Sequence, residues 1–359
     1  MAGYLENIIE SQKNKTSKYI DDLLEKARIT FGDDSSEYYG IFNQYFRMPK
    51  ISSTELSNRR HYEAEMHEID LPGLERLYRR AVVIDLLSAC ASECIYCLRG
   101  YYDKFALSNK EISNIADYCS RDKNLNEVLI TGGDPLIAVS KLKFLITELA
   151  LKAPNIRIIR IGTRIMVQDP NRFDESYYSF FDSLKNRFII EIGLQVNHYY
   201  ELQEKTKEIL INLQKAGCRI YSQNVLIKGV NDNINVLIRL YDELRYLGVI
   251  PHYLFHAVPM KGTDDFRTTV QKGIDLIRKL TSSGFISGRA KPEYALMTDI
   301  GKVTLYHDTV YKREGKYLII KTEYKLEDRI RWNPSYLLPE SAYINSDGTI
   351  SVKYLDGHE

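Results

Sequence analysis

Cys90, Cys94 and Cys97 stand in the run Cys-Ala-Ser-Glu-Cys-Ile-Tyr-Cys, a CxxxCxxC spacing. Thiolates are soft ligands for iron–sulfur clusters, and three on one short loop wrap a corner of a [4Fe-4S] cluster. Three ligands for four irons leave one iron where a small molecule can be bound and reduced. Three of the chain's five cysteines fall within these eight residues, and an odd count in 359 residues argues against a disulfide framework. Cys119 and Cys218 lie in helix-like contexts and read as buried small apolar residues. Arg99, two residues beyond the last cysteine, carries a planar fork suited to a carboxylate, a surface loop arginine being the alternative. Gly132 and Gly133 end an apolar run, where a backbone can approach a ligand closely, or where a plain Gly-Gly-Asp-Pro turn stands. His256 reads equally as a proton shuttle or as a hydrogen-bonded histidine at a strand end.

The elements that must position these groups are legible as periodicity. Ala81-Val-Val-Ile-Asp-Leu-Leu87 reads as a buried strand delivering the cysteines into a loop. Further strands are predicted at 126–131, 155–162, 187–196, 219–227 and 251–257, with amphipathic helices at 109–120, 140–152, 174–185, 201–216, 232–247 and 266–282. This alternation implies an α/β fold with a parallel sheet and helical crossovers. Six units suit a partial (β/α)6 TIM-like barrel better than a closed one, although periodicity alone leaves a flat sheet open; either way the site lies beyond the strands' C-terminal ends. Residues 1–75 read as a polar helical N-terminal extension with a break around Pro49-Lys-Ile-Ser-Ser, and 76–283 as the barrel. Residues 284–359 form a C-terminal β-rich segment that closes the site, with short strands at Lys302-Val-Thr-Leu-Tyr306, Tyr317-Leu-Ile-Ile-Lys321 and Thr349-Ile-Ser-Val-Lys-Tyr354.

Charge is balanced, 49 basic against 48 acidic residues, which predicts no general pull toward nucleic acid or membrane. No apolar run is long enough to span a bilayer, and the N-terminus carries no cleavable leader pattern. A cytoplasmic location, where thiols stay reduced, is the expectation. The 27 tyrosines suggest no function of their own.

Six segments occur in one order: Leu77-Tyr78-Arg79-Arg80, Cys90 to Arg99, Leu129-Ile-Thr-Gly-Gly-Asp-Pro-Leu136, Arg160-Ile-Gly-Thr-Arg164, Gln223-Asn-Val-Leu-Ile-Lys-Gly-Val-Asn-Asp232 and Asp265-Phe-Arg-Thr268. In this the chain, over 74–273, resembles the radical S-adenosylmethionine enzymes and, within them, the lysine 2,3-aminomutase-like group. The resemblance implies that the cluster sits on Cys90, Cys94 and Cys97. Gly132 and Gly133 would contact the amino group of the S-adenosylmethionine methionine moiety, with Asp134 nearby. Asn197, His198 and the stretch from Val225 to Asn231 would line its nucleoside part, ordinary barrel packing being the alternative for each. Arg99 would pair with a substrate α-carboxylate, so the substrate is expected to be an amino acid.

The family's second cofactor is pyridoxal phosphate, held as a Schiff base on a lysine in a glycine-rich segment after the barrel. The corresponding stretch is Lys291-Pro-Glu-Tyr-Ala-Leu-Met-Thr-Asp-Ile-Gly-Lys302, with an anchoring proline and a Gly-Lys end but no glycine run and about two residues fewer. Lys302 is the candidate Schiff-base residue, a solvated lysine opening a strand being the alternative. Tyr78, Arg80, Arg172 and Gln223 resemble cofactor contacts, with Arg172 taking the phosphate. Lysine-specific relatives hold the substrate's distal ammonium with two aspartates; Val258 and Met297 stand there, where an unpaired charge would cost several kcal/mol, so L-lysine is not the expected substrate. A tail zinc site is not expected, because Asn233 stands at one ligand position and no cysteine follows Cys218.

The activity so implied is an isomerase that shifts an α-amino group to C3 through a 5′-deoxyadenosyl radical. Its partners would be a non-lysine amino acid and an electron donor such as flavodoxin or ferredoxin, with homo-oligomers possible. Two alternatives stay open: a radical enzyme without pyridoxal phosphate (epimerase, dehydrogenase or other rearrangement), and a non-catalytic iron–sulfur or S-adenosylmethionine-binding module.

Overall fold

The computed structural model describes residues 15–47, 71–99, 104–260, 263–306 and 309–358. Its largest element is a nine-stranded sheet in sequence order. The strands are β1 (Leu74–Glu75), β2 (Ala81–Leu87), β3 (Glu127–Gly132), β4 (Ile158–Thr163), β5 (Ile189–Leu194), β6 (Arg219–Leu226), β7 (Ile250–His256), β8 (Glu293–Thr298) and β9 (Gly301–Thr304). Neighbours from β2 to β8 are parallel, while β1 and β9 flank them antiparallel and do not pair with each other. The result is a curled half-barrel with six β/α units. Each strand expected from the alternation is found within a few residues of its predicted span.

Physical cause is visible strand by strand. Val128 and Ile130, Ile159 and Ile161, and Ile190 and Ile192 are buried among helix residues such as Ile112, Leu142 and Ile146. Their alternating neighbours Glu127, Arg160 and Glu191 are half-buried and meet one another and the buried Tyr221 on the concave face. The crossover helices are α3 (Asn109–Arg121), α4 (Val139–Lys152), α6 (Glu175–Leu184), α7 (Glu204–Lys215), α8 (Ile234–Tyr246) and α9 (Val270–Ser282); a short α5 (Ile165–Gln168) follows β4. At the start of α3 a capping box fixes the chain entry, Ser108 Oγ accepting from Glu111 N at 3.3 Å and Ser108 N donating to Glu111 Oε2 at 2.7 Å.

The most consequential strand outside the sequence expectation is β8; the two-residue β1 and the strands over 310–314 and 342–344 are not among those predicted either. The stretch after 284 contributes to two sheets: β8 extends the parallel sheet past the sixth helix, and β9 turns back on it. No helix follows β8, so strand–helix alternation gives no sign of it. A second, four-stranded antiparallel sheet, β10 (Val310–Glu314), β11 (Tyr317–Lys325), β12 (Ala342–Ile344) and β13 (Thr349–Leu355), has the order β10-β11-β13-β12, with α10 (Leu326–Trp332) between β11 and β12.

That sheet shares the main core through Ile320, Ile350, Val352 and Tyr354. It is latched to the end of β7 by His256, whose Nδ1 meets Tyr354 Oη at 2.8 Å and whose Nε2 meets the Thr268 carbonyl at 2.7 Å. Both ring nitrogens are thus engaged by protein groups and burial pushes this histidine down to about 3, which fits the hydrogen-bonded histidine of its two sequence readings.

Two N-terminal helices, α1 (Lys18–Phe31) and α2 (Ser36–Tyr45), pack Ile20, Leu23, Ala27, Ile41 and Tyr45 against Tyr200 beyond β5. The expected break around Pro49 lies outside the described residues. Among the described residues no helix is long and apolar enough to cross a membrane.

Candidate active site

The cysteine loop leaves the end of β2 and lies against the end of β3. Gly133 N donates to the Leu87 carbonyl at 2.5 Å and Asp134 N to that of Ala89 at 2.8 Å. A side chain at either glycine would collide with this loop: an added Cβ would sit 2.3 Å from Leu87 O at position 132, where φ is +113°, and 2.1 Å from Ala89 O at position 133. A close approach that demands glycine here is therefore to the backbone of Leu87 to Ala89, which leads into the cysteine loop. Asp134 is turned inward and anchors the next loop, its carboxylate accepting from Thr163 Oγ1 (2.8 Å), Arg164 N (2.8 Å), Ile165 N (3.0 Å) and Leu136 N (3.1 Å).

Two of the three sulfurs receive N–H donors. Cys94 Sγ accepts from Arg164 Nη1 at 3.0 Å and Gln168 Nε2 at 3.3 Å, and Cys97 Sγ from Arg99 N at 3.4 Å. Burial raises the pKa of all three thiols, Cys97 to about 11; charge on neighbouring cysteines adds to the rise for Cys90 and Cys97, while Arg164 opposes it for Cys94. Three adjacent thiols, each costly to ionise alone, suit a cationic iron cluster that takes them as thiolates and releases their protons. Among the described residues no three His, Cys, Asp or Glu side chains converge on a single ion, and a cluster binding each cysteine through a different iron does not need them to.

Arg99 faces the concave side, its Nε 3.2 Å from Asp85 Oδ1 and its Nη2 3.4 Å from Glu75 Oε1. The fork predicted to meet a carboxylate is thus oriented by two protein carboxylates. Beside it, Leu98 and Met297 pack on the buried pair Val258 and Met260. Val258 and Met297, far apart in sequence, share one apolar cluster.

Met297 pairs directly across the β8–β9 ladder with Lys302. Gly301, at φ +112°, makes that turn, and a Cβ there would lie 2.8 Å from Leu77 Cδ2 and 3.0 Å from Tyr78 Oη. The Lys302 backbone is clamped: its N–H donates to Tyr78 Oη at 3.2 Å, and its carbonyl accepts from Tyr324 Oη at 2.6 Å. The ammonium lies 5.9 Å from the Tyr78 ring centroid and 5.4 Å from that of Tyr253. Burial foremost, then the nearby Arg160 guanidinium, push Lys302 down to about 8, against the pull of Glu127. Arg160 donates to Tyr221 Oη at 3.0 Å and is paired with Glu127 at 2.6 Å and Glu191 at 3.6 Å. Its Nη2 has no hydrogen-bond partner among the described residues.

Other predicted contacts fall in different places. Gln223, on β6 two residues beyond Tyr221, is half-buried like the concave residues, and Val225 continues that row. Arg172 is half-exposed on the far side of α5, its Nε bound to Asp169 at 2.7 Å, and Arg80 lies before β2 at the opposite end of the barrel, donating to the Asn124 carbonyl at 3.4 Å. Neither accompanies Lys302; Arg160, missed as a site residue, does. The signal that could have found it is a charged residue at an inward position of an otherwise apolar strand.

Asn197 and His198 are buried in protein contacts. Asn197 Nδ2 donates to Tyr96 Oη at 2.6 Å and Gln44 Oε1 at 2.9 Å, and its Oδ1 accepts from Val225 N at 2.7 Å. His198, pushed down to about 3 by burial, meets Ser36 Oγ at 3.1 Å and packs on Gly40 of α2.

No family model matches the chain. A protein of Aquifex aeolicus named "Putative L-lysine 2,3-aminomutase" is 36% identical over 259 residues, which span 70% of this chain and 69% of that one. The chain belongs to the lysine 2,3-aminomutase-like family of radical S-adenosylmethionine enzymes. Membership makes it a radical isomerase of the aminomutase type and implies a [4Fe-4S] cluster and S-adenosylmethionine. The glutamate 2,3-aminomutase of Clostridioides difficile is 29% identical, over 78% of this chain and 69% of that protein. Among solved structures, a radical SAM methyltransferase from Sphaerobacter thermophilus gives a TM-score of 0.45 at 16% identity, covering 78% of this chain and 95% of that one.

Proposed function

We propose that the protein is a 2,3-aminomutase for an amino acid with an uncharged, largely apolar side chain. The observation that carries this reading is the continuity of Arg99, the Leu98–Val258–Met260–Met297 cluster and Lys302. Leu98 precedes Arg99 in the chain and Met297 is paired with Lys302 across the ladder, so this reading joins a carboxylate partner, an apolar wall and an amine. A second ammonium on the substrate would meet methionine and valine there, which disfavours lysine.

When bound, the cluster and S-adenosylmethionine supply a carbon radical that takes a hydrogen atom from the substrate, and pyridoxal phosphate supplies an aldehyde for the migrating nitrogen. In this reading Cys90, Cys94 and Cys97 hold the cluster, Arg99 orients the substrate carboxylate, and Tyr78 and Tyr253 wall the lysine. An amine with a pKa near 8 is roughly one-tenth unprotonated at pH 7, enough to react with an aldehyde where an ordinary lysine is almost wholly charged. Arg160, whose Nη2 has no hydrogen-bond partner among the described residues, and Gln223 replace Arg172 and Arg80 as the groups that would face the phosphate. An electron donor of the flavodoxin or ferredoxin type would reduce the cluster.

The test is anaerobic reconstitution with S-adenosylmethionine, dithionite and pyridoxal phosphate against a panel of amino acids, read by mass spectrometry. β-Amino isomers from apolar amino acids and none from lysine are expected, together with a borohydride-trapped adduct on Lys302. The second reading, a radical enzyme without pyridoxal phosphate, is favoured by one feature: Arg160 is already flanked by Glu127 and Glu191, carboxylates that repel a phosphate. Absence of any lysine adduct, with 5′-deoxyadenosine still formed, would select it.

A further inference from the structure

The buried Arg164, just beyond β4, ties the cysteine loop to three other segments. Its Nη1 donates to Cys94 Sγ at 3.0 Å and to Tyr96 Oη; its Nη2 reaches Gln44 Oε1 of α2 at 3.0 Å and pairs with the buried Glu201 beyond β5. Its backbone N–H is held by Asp134 at 2.8 Å, and the guanidinium lies 5.3 Å from the Tyr45 ring centroid. Gln168, at the end of α5, brings a second side-chain N–H to the same sulfur at 3.3 Å and is itself fixed by the Ser92 carbonyl at 2.9 Å. The three sulfurs are thus treated unequally. Cys94 receives two side-chain donors, one of them charged, Cys97 receives one backbone N–H, and among the described residues none reaches Cys90.

N–H groups and positive charge at a cluster's thiolates withdraw negative charge from the iron–sulfur core, which stabilises the reduced state and raises the potential. We propose that Arg164 and Gln168 are positioning residues that raise the cluster's reduction potential through the Cys94 sulfur, with Glu201 and Gln44 holding Arg164 in place. The step concerned is the one-electron reduction from the 2+ to the 1+ cluster, with dithionite as the electron source. The ion pair with Glu201 explains why a guanidinium can remain charged in so enclosed a place, and its fork serves the sulfur with one nitrogen and the carboxylate with the other.

This inference rests on the cluster assignment, and the experiment separates the two. The full chain is reconstituted anaerobically as wild type, as Gln168→Leu, and as the pair Arg164→Met with Glu201→Gln. The paired change removes one positive and one negative charge together, so neither is left buried alone. Iron and sulfide are counted, and the midpoint potential is read by electron paramagnetic resonance during a redox titration. The expected result is unchanged iron, a more negative midpoint in Gln168→Leu, and a larger shift the same way in the paired variant. Wild-type midpoints in both variants at full iron content would overturn the inference. So would loss of iron from both, which would make these residues assembly elements. If only the paired variant loses iron, Gln168→Leu decides alone. A wild type that assembles no cluster would instead defeat the cluster assignment.

Discussion

At the scale of single residues, the site turns on how proteins shift charged groups. Lys302 is depressed to about 8 because burial and Arg160 both disfavour its ammonium. Its labelling by an amine-reactive probe, followed by peptide mass spectrometry across pH, should show a midpoint near 8, and Arg160→Met should move that midpoint upward. A midpoint near 10.5 in the wild type would mean that Lys302 is an ordinary solvated lysine. Arg99 poses a different question, because it already holds Asp85 and Glu75. Replacing it removes a cation that two carboxylates share, so Arg99→Ala should lower thermal stability as well as turnover. Arg99→Lys keeps the charge without the fork and is the cleaner probe. It should retain the cluster and uncoupled S-adenosylmethionine cleavage while substrate turnover falls. Loss of a charge-assisted carboxylate contact in a desolvated site costs about 2–5 kcal/mol. Substrate kinetics unchanged in Arg99→Lys would take the fork out of the binding site.

At the scale of elements, the cysteine loop and the end of β3 behave as one unit. An added methyl at Gly133 would meet the Ala89 carbonyl, and backbone cannot step aside as a side-chain end can. Gly133→Ala should therefore yield a folded protein of reduced stability whose iron content after reconstitution falls well below wild type. Full iron with wild-type stability would mean the loop is free to move. The six strands and six helices were legible because strands such as β3 carry a buried row, Val128 and Ile130, and the helices an apolar stripe. The cysteine loop and Lys302 could be named as candidates from the chain alone, since spacing and Gly-Lys are local signals. What the sequence hid is cross-strand register. Nothing local says that Arg160 on β4, Glu191 on β5, Tyr221 on β6 and Lys302 on β9 meet, or that Arg172, a few residues beyond β4, points elsewhere. Asn197 and His198 were visible as polar residues at a strand end. Their engagement by Gln44 and Ser36 depends on where the N-terminal helices dock, which periodicity does not encode.

Across the whole molecule, three parts of the chain meet around the half-barrel, and two of the joints rest on buried neutral histidines. His198 lies beneath α2, and His256 latches β13 to β7. Both are held near 3, below the ordinary histidine value of about 6.5, because burial penalises the imidazolium; His256 also faces the buried Arg267, and His198 faces Arg239. The sign follows directly. Between about 6.5 and 3 the unfolded chain binds protons that the folded chain refuses, so each histidine contributes stability present above about 6.5 and lost as the pH falls toward 3. The slope from one such group is at most about 1.4 kcal/mol per pH unit. His256→Asn keeps a polar group at the latch but does not titrate, so its urea-unfolding stability should fall less steeply from pH 6.5 to 4.5 than that of the wild type. Its stability at pH 7.5 should be lower, since Tyr354 Oη or the Thr268 carbonyl loses a partner, at a cost of about 1–3 kcal/mol. Tyr354→Phe supplies the complementary test. It leaves the histidine in place, so the steep acid slope should persist while the whole curve shifts down. Parallel slopes for the wild type and His256→Asn would mean that acid sensitivity originates elsewhere, and that His256 is accessible enough to take a proton without opening the joint between barrel and C-terminal sheet.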